Sequence, residues 1–365
     1  MKGTKLIFKL LLLSVVFVSC EKETIIDNTV LNTYTNGMLI SAEGNWNDKD
    51  GSVSYVSNDY STVSNFVYKA KNGAQLGGLI QSVSFSDEFA YIILNDVNQI
   101  VVVDKITLTK VATIETGISN PRYMAIIGDK GYVTNWGVTG DEQTDTYDDY
   151  IAVLDLNTNT VTTTITNNLP FGPEQIIAVN DKLYVSHKGA RSTNNKVSVI
   201  VNNAVQSEIE VNGNPDEMLL NSKGELVVLC EGGGEWVETD GLWSFVESSV
   251  GAITTINTST DVIKTNVEFE TTKYPALLAY ESGKLYYNLS GSIYVIGEDD
   301  TVLSSTPLYE SGSLYGMSIR NSKLFMAKYA FTTLSKLTVL DVDANAVEFE
   351  TAVGLGASKI YFVEE

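Results

Sequence analysis

The sequence predicts an all-β chain, a seven-bladed β-propeller of four-stranded antiparallel blades. Three observations predict it. The first is the stretch Glu88 to Ile114, EFAYIILNDVNQIVVVDKITLTKVATI, in which short apolar runs rich in Val, Ile, Tyr and Thr are punctuated by Asn and Asp. The second is recurrence. Aligning Tyr91, Tyr132, Tyr184, Val227, Tyr286 and Phe325 gives six copies with steps of 41, 52, 43, 59 and 39 residues, the spacing of propeller repeats at ~40–50 residues. The third is a seventh copy split between the ends. Met38 to Tyr68 supplies strands two, three and four without a first strand, and Ala357 to Val363 is a strand without a successor. Pairing the C-terminal strand with the N-terminal blade closes the ring and leaves no open sheet edge there.

Residues 1–19 form a lipoprotein signal peptide. Lys2, Lys5 and Lys9 accompany the apolar run Leu6 to Val18, which ends in Ser19-Cys20. That run is too short and wrongly flanked for a membrane span. A small residue directly before Cys20 marks Cys20 for lipidation, which tethers a protein without a spanning helix. Residues 20–36 then read as a lipidated flexible tether, and residues 37–365 as the propeller.

Loss of residues 1–19 removes three lysines and no acid, leaving 21 basic residues against 45 acidic and a net charge of −24. Such a surface argues against nucleic acid and against anionic membrane as partners of the body of the protein. With Cys20 lipidated, Cys230 is the one remaining cysteine, so no internal disulfide forms.

Residues 72–83 lead into the first complete blade, with Gln75 to Leu79 as a loop or a short helical turn. Four innermost strands open with proline, at Asn120-Pro121, Gly172-Pro173, Asn214-Pro215 and Tyr274-Pro275. Proline is tolerated at a strand start, where it owes the ladder no N–H.

GSVSYV, NGAQLGGLIQSV and AYIILNDVNQIVVVD resemble the YncE-like propeller lipoproteins of the Bacteroidetes surface, and IAVLDLNTNTVTTTI resembles their YVTN-type repeat. Glu21, Lys22 and Glu23 after Cys20 resemble the acidic signal of surface-exported lipoproteins in that group. The BtuG-like relatives capture vitamin B12 at the cell surface and hand it to a TonB-dependent transporter. The resemblance therefore implies an outer-membrane, lipid-anchored protein facing the exterior, with a corrinoid as first-choice ligand and a glycan or other nutrient as the next.

Long inserts follow the second strand of each copy and share one face. They hold all four tryptophans, Trp46, Trp136, Trp236 and Trp243, together with His187, Lys188, Arg191 and Tyr329. Two explanations fit these side chains. They form a ligand or partner surface on a rigid scaffold, or they are small cores that pin long loops. On the first, the aromatics offer stacking faces and His187, Lys188 and Arg191 offer donors. Trp136→Ala and Trp243→Ala would then weaken binding and leave the melting temperature nearly unchanged. The insert Glu231 to Ser249 is the expected contact loop, with part of it a short helix.

Catalysis finds little footing. One histidine excludes a multi-histidine metal site within the chain, and no GxSxG elbow or phosphate loop occurs. The acidic inserts around Asp141, Glu142, Asp145, Asp148 and Asp149, and around Asp48 and Asp50, lack the spacing of a calcium loop and read as solvated. The expectation is a binding protein with no cofactor and no metal, capturing a ligand for a transporter. The alternatives are a protein-interaction scaffold in an outer-membrane complex and a glycan-binding propeller.

Overall fold

The computed structural model describes residues 33–138, 140–141, 146–190, 192–239 and 241–364. The signal segment, Cys20, most of the tether, Glu142, Asp145 and Arg191 lie outside the described residues.

The chain is, among the described residues, all-β apart from one short helix, Val67–Asn72. Among the described residues there are seven four-stranded antiparallel sheets and two two-stranded ribbons. Within a sheet the middle strands are apolar on both faces, as in Phe89–Leu94 and Gln99–Asp104, because both faces are covered by neighbouring sheets. Outer strands such as Lys110–Ile114 carry exposed residues. The core lies between sheets. Tyr91, Ile93 and Val102 of one sheet pack with Met124, Val133 and Ala152 of the next, and each fully buried Ile or Val stabilises by about 1.5–3 kcal/mol.

The third and fourth strands are joined by turns with one recurring device. The Asp104 carboxylate accepts the N–H groups of Ile106 at 3.1 Å and Thr107 at 2.7 Å. Asp155 does the same for Asn157 and Thr158, and Asp341 for Asp343 and Ala344. This is the Asx-turn chemistry that favours Asp at such corners.

The innermost strands are Ile80–Phe85, Pro121–Ile127, Pro173–Val179, Pro215–Leu220, Pro275–Glu281, Gly316–Arg320 and Ala357–Val363. Each contacts the next in that order. Hydroxyls tie neighbours together: Ser82 Oγ donates to the Arg122 carbonyl at 2.6 Å, and Thr134 Oγ1 to the Glu174 carbonyl at 2.7 Å. Ala357–Val363 pairs antiparallel with Gly37–Ala42, from Gly37↔Val363 to Ala42↔Ala357. The Val83 N–H donates to the Tyr361 hydroxyl at 2.9 Å, linking the last innermost strand to the first.

Two local expectations are corrected, and one left between two alternatives is decided. The segment ending at Tyr68 does not supply a full fourth strand: only Val63–Ser64 pairs there, and the chain turns into the helix Val67–Asn72. Of the two conformations expected for residues 75–79, the structure shows the loop. Among its described residues the insert from Glu231 to Ser249 contains no helix, where a short one was expected. It is a β-hairpin of Gly233–Thr239 and Leu242–Ser249. Its glycines explain this: Gly232 takes φ +74, and a Cβ on Gly234 would lie 2.1 Å from the Val246 carbonyl oxygen.

Candidate functional site

The innermost strands carry a shared irregularity. In six of the seven four-stranded sheets the register shifts near the start of the innermost strand. Between Pro121↔Asn135 and Met124↔Val133, two residues of the inner strand oppose one of its partner. Such a β-bulge re-aims side chains that a regular pleat would send into the neighbouring sheet. The residues at these bulges include Gln81, Arg122 with Tyr123, Glu174, Asp216 with Glu217, Leu277 and Ser358, and all of them line one cavity of ≈ 510 Å³. In the sheet of Gly316–Arg320 the register is regular, and Leu314 and Tyr315 line the cavity just before the strand.

Much of the cavity wall is ionic. The Arg122 guanidinium donates through Nε to Glu174 Oε2 at 3.0 Å and through Nη2 to Oε1 at 2.9 Å, the bidentate geometry that suits Arg. Its face lies 3.8 Å from the centre of the Trp136 ring, and the indole N–H donates to the Pro173 carbonyl at 3.0 Å. Lys188 bridges two carboxylates, Asp216 at 2.7 Å and Glu231 at 2.9 Å. Lys359 stands 3.8 Å from Glu217, which also accepts from Gln175 at 3.0 Å. Glu43 accepts the Tyr315 hydroxyl at 2.7 Å. Apolar residues share the lining: Leu79, Ala276, Leu277 and Leu314, together with Trp46.

Protonation follows from burial and pairing. Burial raises the Asp216 carboxyl, but Lys188 outweighs it and holds the group below its ordinary range. Burial disfavours the Lys188 ammonium, yet Asp216 and Glu231 together hold it above the ordinary lysine range. Glu231 is pushed up to about 7, by burial first and by the Asp216 charge second. Burial also raises Glu217 and Glu43.

The expected site residues divide. Trp46, 67% exposed, and Lys188 line this cavity, and the Lys49 ammonium lies 5.7 Å from the Trp46 ring. Trp136 is half-buried behind the wall, against Arg122. Tyr329 is exposed and packs with Phe331 and Tyr315 in an aromatic cluster, ring centres 5.5–6.2 Å apart. Trp236 lies on the first strand of the hairpin and Trp243, 63% exposed, on the second. His187 is corrected: it is fully buried, Nε2 is 2.8 Å from Ser198 Oγ, and burial pushes its pKa down to about 3. Its neutral ring is part of the core and offers no donor to the surface. Cys230 is likewise buried, its thiol pushed up to about 12.

The acidic loops hold themselves together. Asp50 Oδ1 accepts the Asn45 N–H at 2.6 Å, Asp148 Oδ2 accepts that of Val138 at 3.1 Å, and Asp149 Oδ2 that of Gly172 at 2.6 Å. Among the described residues no group of three or more His, Cys, Asp or Glu is arranged to hold a metal.

Sequence reasoning missed the cavity's main chemistry: Arg122, Glu174, Asp216, Glu217 and Lys359. A signal was present. Asn-Pro-Arg, Gly-Pro-Glu and Asn-Pro-Asp place charge directly after the proline of a strand that otherwise enters an apolar core. Buried charge is rare without a partner, so recurring charge at one position of a repeat points to convergence.

An all-β, propeller-like fold with an ionic cavity where its innermost strands converge is thus the class of protein. Residues 36–324 match the family described as "Domain of unknown function (DUF5074)", and the chain belongs to that family. No curated protein matches it. Among solved structures it is similar to hydrazine synthase from Kuenenia stuttgartiensis, at 14% identity over 91% of this chain and 99% of that one (TM-score 0.55). It is similar to the dihydro-heme d1 dehydrogenase NirN in complex with DHE, at 14% identity over 92% and 76% (TM-score 0.54). A third similarity is to apo AztD from Citrobacter koseri, at 11% identity over 89% and 96% (TM-score 0.51). At these identities the likeness is one of fold alone.

Proposed function

We propose that this chain is a lipid-anchored ligand-capture protein of the outer membrane: a seven-bladed propeller, closed by its last strand, that binds a ligand at the converging innermost strands and passes it to a transporter. The observation that carries the reading is the cavity of ≈ 510 Å³ with its bulged, charged lining. It lies within the ~300–1,000 Å³ typical of small-molecule sites and combines apolar walls with convergent polar groups. A core needs no such groups, and burying them is unfavourable unless something is gained. Ring closure is supported by the Gly37–Ala42 pairing with Ala357–Val363. Binding without catalysis is favoured because His187 and Cys230 are sequestered in the core.

A corrinoid follows from the resemblance to YncE-like and BtuG-like proteins. Its macrocycle is larger than the cavity, so it would lie across the mouth, against Trp46, with only a side arm inside. The test is calorimetric titration of residues 21–365 with cyanocobalamin. Saturable one-to-one binding supports corrinoid capture. A flat trace removes the corrinoid and leaves a smaller ligand, sought by mass spectrometry of what co-purifies with the protein.

One observation favours a second reading, a protein-interaction scaffold. The second strand of the hairpin exposes Leu242, Trp243, Phe245 and Val246, a contiguous apolar stretch of the kind that marks contact surfaces. Recovery of a stoichiometric envelope partner with no small ligand bound would favour the scaffold over capture.

A further inference from the structure

We infer that the cavity at the innermost strands binds the protonated amine of an organic cation with an apolar body; this rests on reading that cavity as the capture site. The argument begins with a charge imbalance. Five carboxylates line it, Glu43, Glu174, Asp216, Glu217 and Glu231, against three cations, Arg122, Lys188 and Lys359. The cations are already committed. Arg122 is spent on Glu174 through both oxygens. One lysine, Lys188, serves both Asp216 and Glu231. Lys359 reaches Glu217 only at 3.8 Å, and Glu43 is held by a neutral hydroxyl. A carboxylate surplus in a partly dehydrated wall is unfavourable until a cation neutralises it. The raised positions of Glu43, Glu217 and Glu231 show the same deficit from the side of the proton.

Two further features point to an organic cation. The rings of Trp46, Tyr123 and Tyr315 share the lining with the carboxylates. Ammonium groups of the chain already lie over two of them, Lys49 at 5.7 Å from Trp46 and Lys359 at 5.4 Å from Tyr123, and the same attraction is open to a ligand ammonium at Tyr315. Ser358, 5% exposed and at the bulge of the last strand, has a hydroxyl with no hydrogen-bond partner, leaving a polar atom of the lining unused by the fold. The direction of the body is also marked. Glu231 and Ala276 line a second cavity of ≈ 400 Å³ at the base of the hairpin, walled by Phe245 and Tyr274. An amine at Glu231 thus has an aromatic groove beside it.

The test is titration of residues 21–365 with three probes that share an indole ring and differ in the charge of the substituent: tryptamine (cationic), indole-3-acetate (anionic) and 3-methylindole (neutral). Tryptamine is expected to bind at least tenfold more tightly than either of the others. Glu231→Gln, which preserves shape, is expected to weaken it about tenfold, and Ala276→Trp to abolish it, with melting curves confirming that both variants fold. Indole-3-acetate binding as tightly as tryptamine, or an unchanged tryptamine affinity in Glu231→Gln, overturns the cation assignment. If the acid binds and Ala276→Trp abolishes that binding, capture in this cavity stands while the cation falls. If none of the probes binds, the cation assignment falls. Capture itself is then judged by the cyanocobalamin titration and by whether Ala276→Trp changes the small molecules that co-purify.

Discussion

Arg122 lies over the ring of Trp136, guanidinium carbon to ring centre 3.8 Å, so that an aromatic side chain from a loop braces a cation of the innermost strand. Trp136 is therefore bound into the wall of the cavity on two sides, by Arg122 and by the Pro173 carbonyl.

This separates the two tryptophans that sequence reasoning treated alike. Trp136→Ala should lower unfolding free energy by roughly 2–3 kcal/mol, somewhat less than the ~3–5 of a fully buried ring. Trp243→Ala, on the exposed strand of the hairpin, should change it by less than about 0.5 kcal/mol. Urea melts of the two variants check the contrast, and equal losses would show that the hairpin is packed in solution.

Glu174→Gln should be more damaging than its conservative chemistry suggests. The Glu174 side chain is 3% exposed and its partner Arg122 12%, so the substitution strands a buried guanidinium at a cost of about 3–5 kcal/mol. Replacing both with apolar residues should recover much of that. A double-mutant cycle on thermal unfolding measures the difference, and additive losses would deny the coupling.

Stability should fall as pH rises between about 4.5 and 7. Glu231 holds its proton up to about 7 when folded, against an ordinary 4.5, so in that window the native state binds more protons than the unfolded one. This contribution is fully present below 4.5 and lost above 7. Glu217 and Glu43 act in the same sense. Asp216, lowered by Lys188, acts oppositely and only in acid, its contribution lost as pH falls through its folded value. Unfolding at pH 5 and pH 7.5 should show a smaller difference for Glu231→Gln than for the parent chain.

Changing Leu242 and Trp243 together to serine should leave both melting temperature and ligand titration unchanged. If the exposed strand contacts an envelope protein, the same change should remove that protein from material cross-linked and purified from membranes. An unchanged partner set would take the hairpin out of the interface.

Cys20→Ala should move the protein from the membrane fraction to the soluble one and abolish labelling with a radioactive fatty acid. Retained labelling would mean that the lipid is carried elsewhere.

The strands were legible because their cause is local. A middle strand covered on both faces must be apolar at every position, and Phe89–Leu94 and Leu226–Cys230 read that way without any knowledge of their neighbours. The Asx turns after Asp104, Asp155 and Asp341 are equally local. The hairpin of Gly233–Thr239 and Leu242–Ser249 was less so, since a glycine run followed by aromatics suits several loop conformations until Val246 occupies the space beside Gly234. The inserts could be placed between strands from the sequence, but their conformation and exposure could not: the longest is a hairpin, and His187 belongs to the strand Lys182–His187. His187 is flanked by Ser186 and Lys188 while Trp243 stands in the apolar run Leu242 to Val246, yet packing buries the first and exposes the second.

The sequence by itself thus determined the all-β repeat, because alternation and burial are written into each segment. The tertiary structure alone decided the cavity. Arg122, Glu174, the Asp216–Glu217 pair and Lys359 sit on four separate innermost strands, and no spacing along the chain reveals which charges face one another. They meet because the strands converge and the register shifts at their start turns each side chain away from its sheet and toward the shared space.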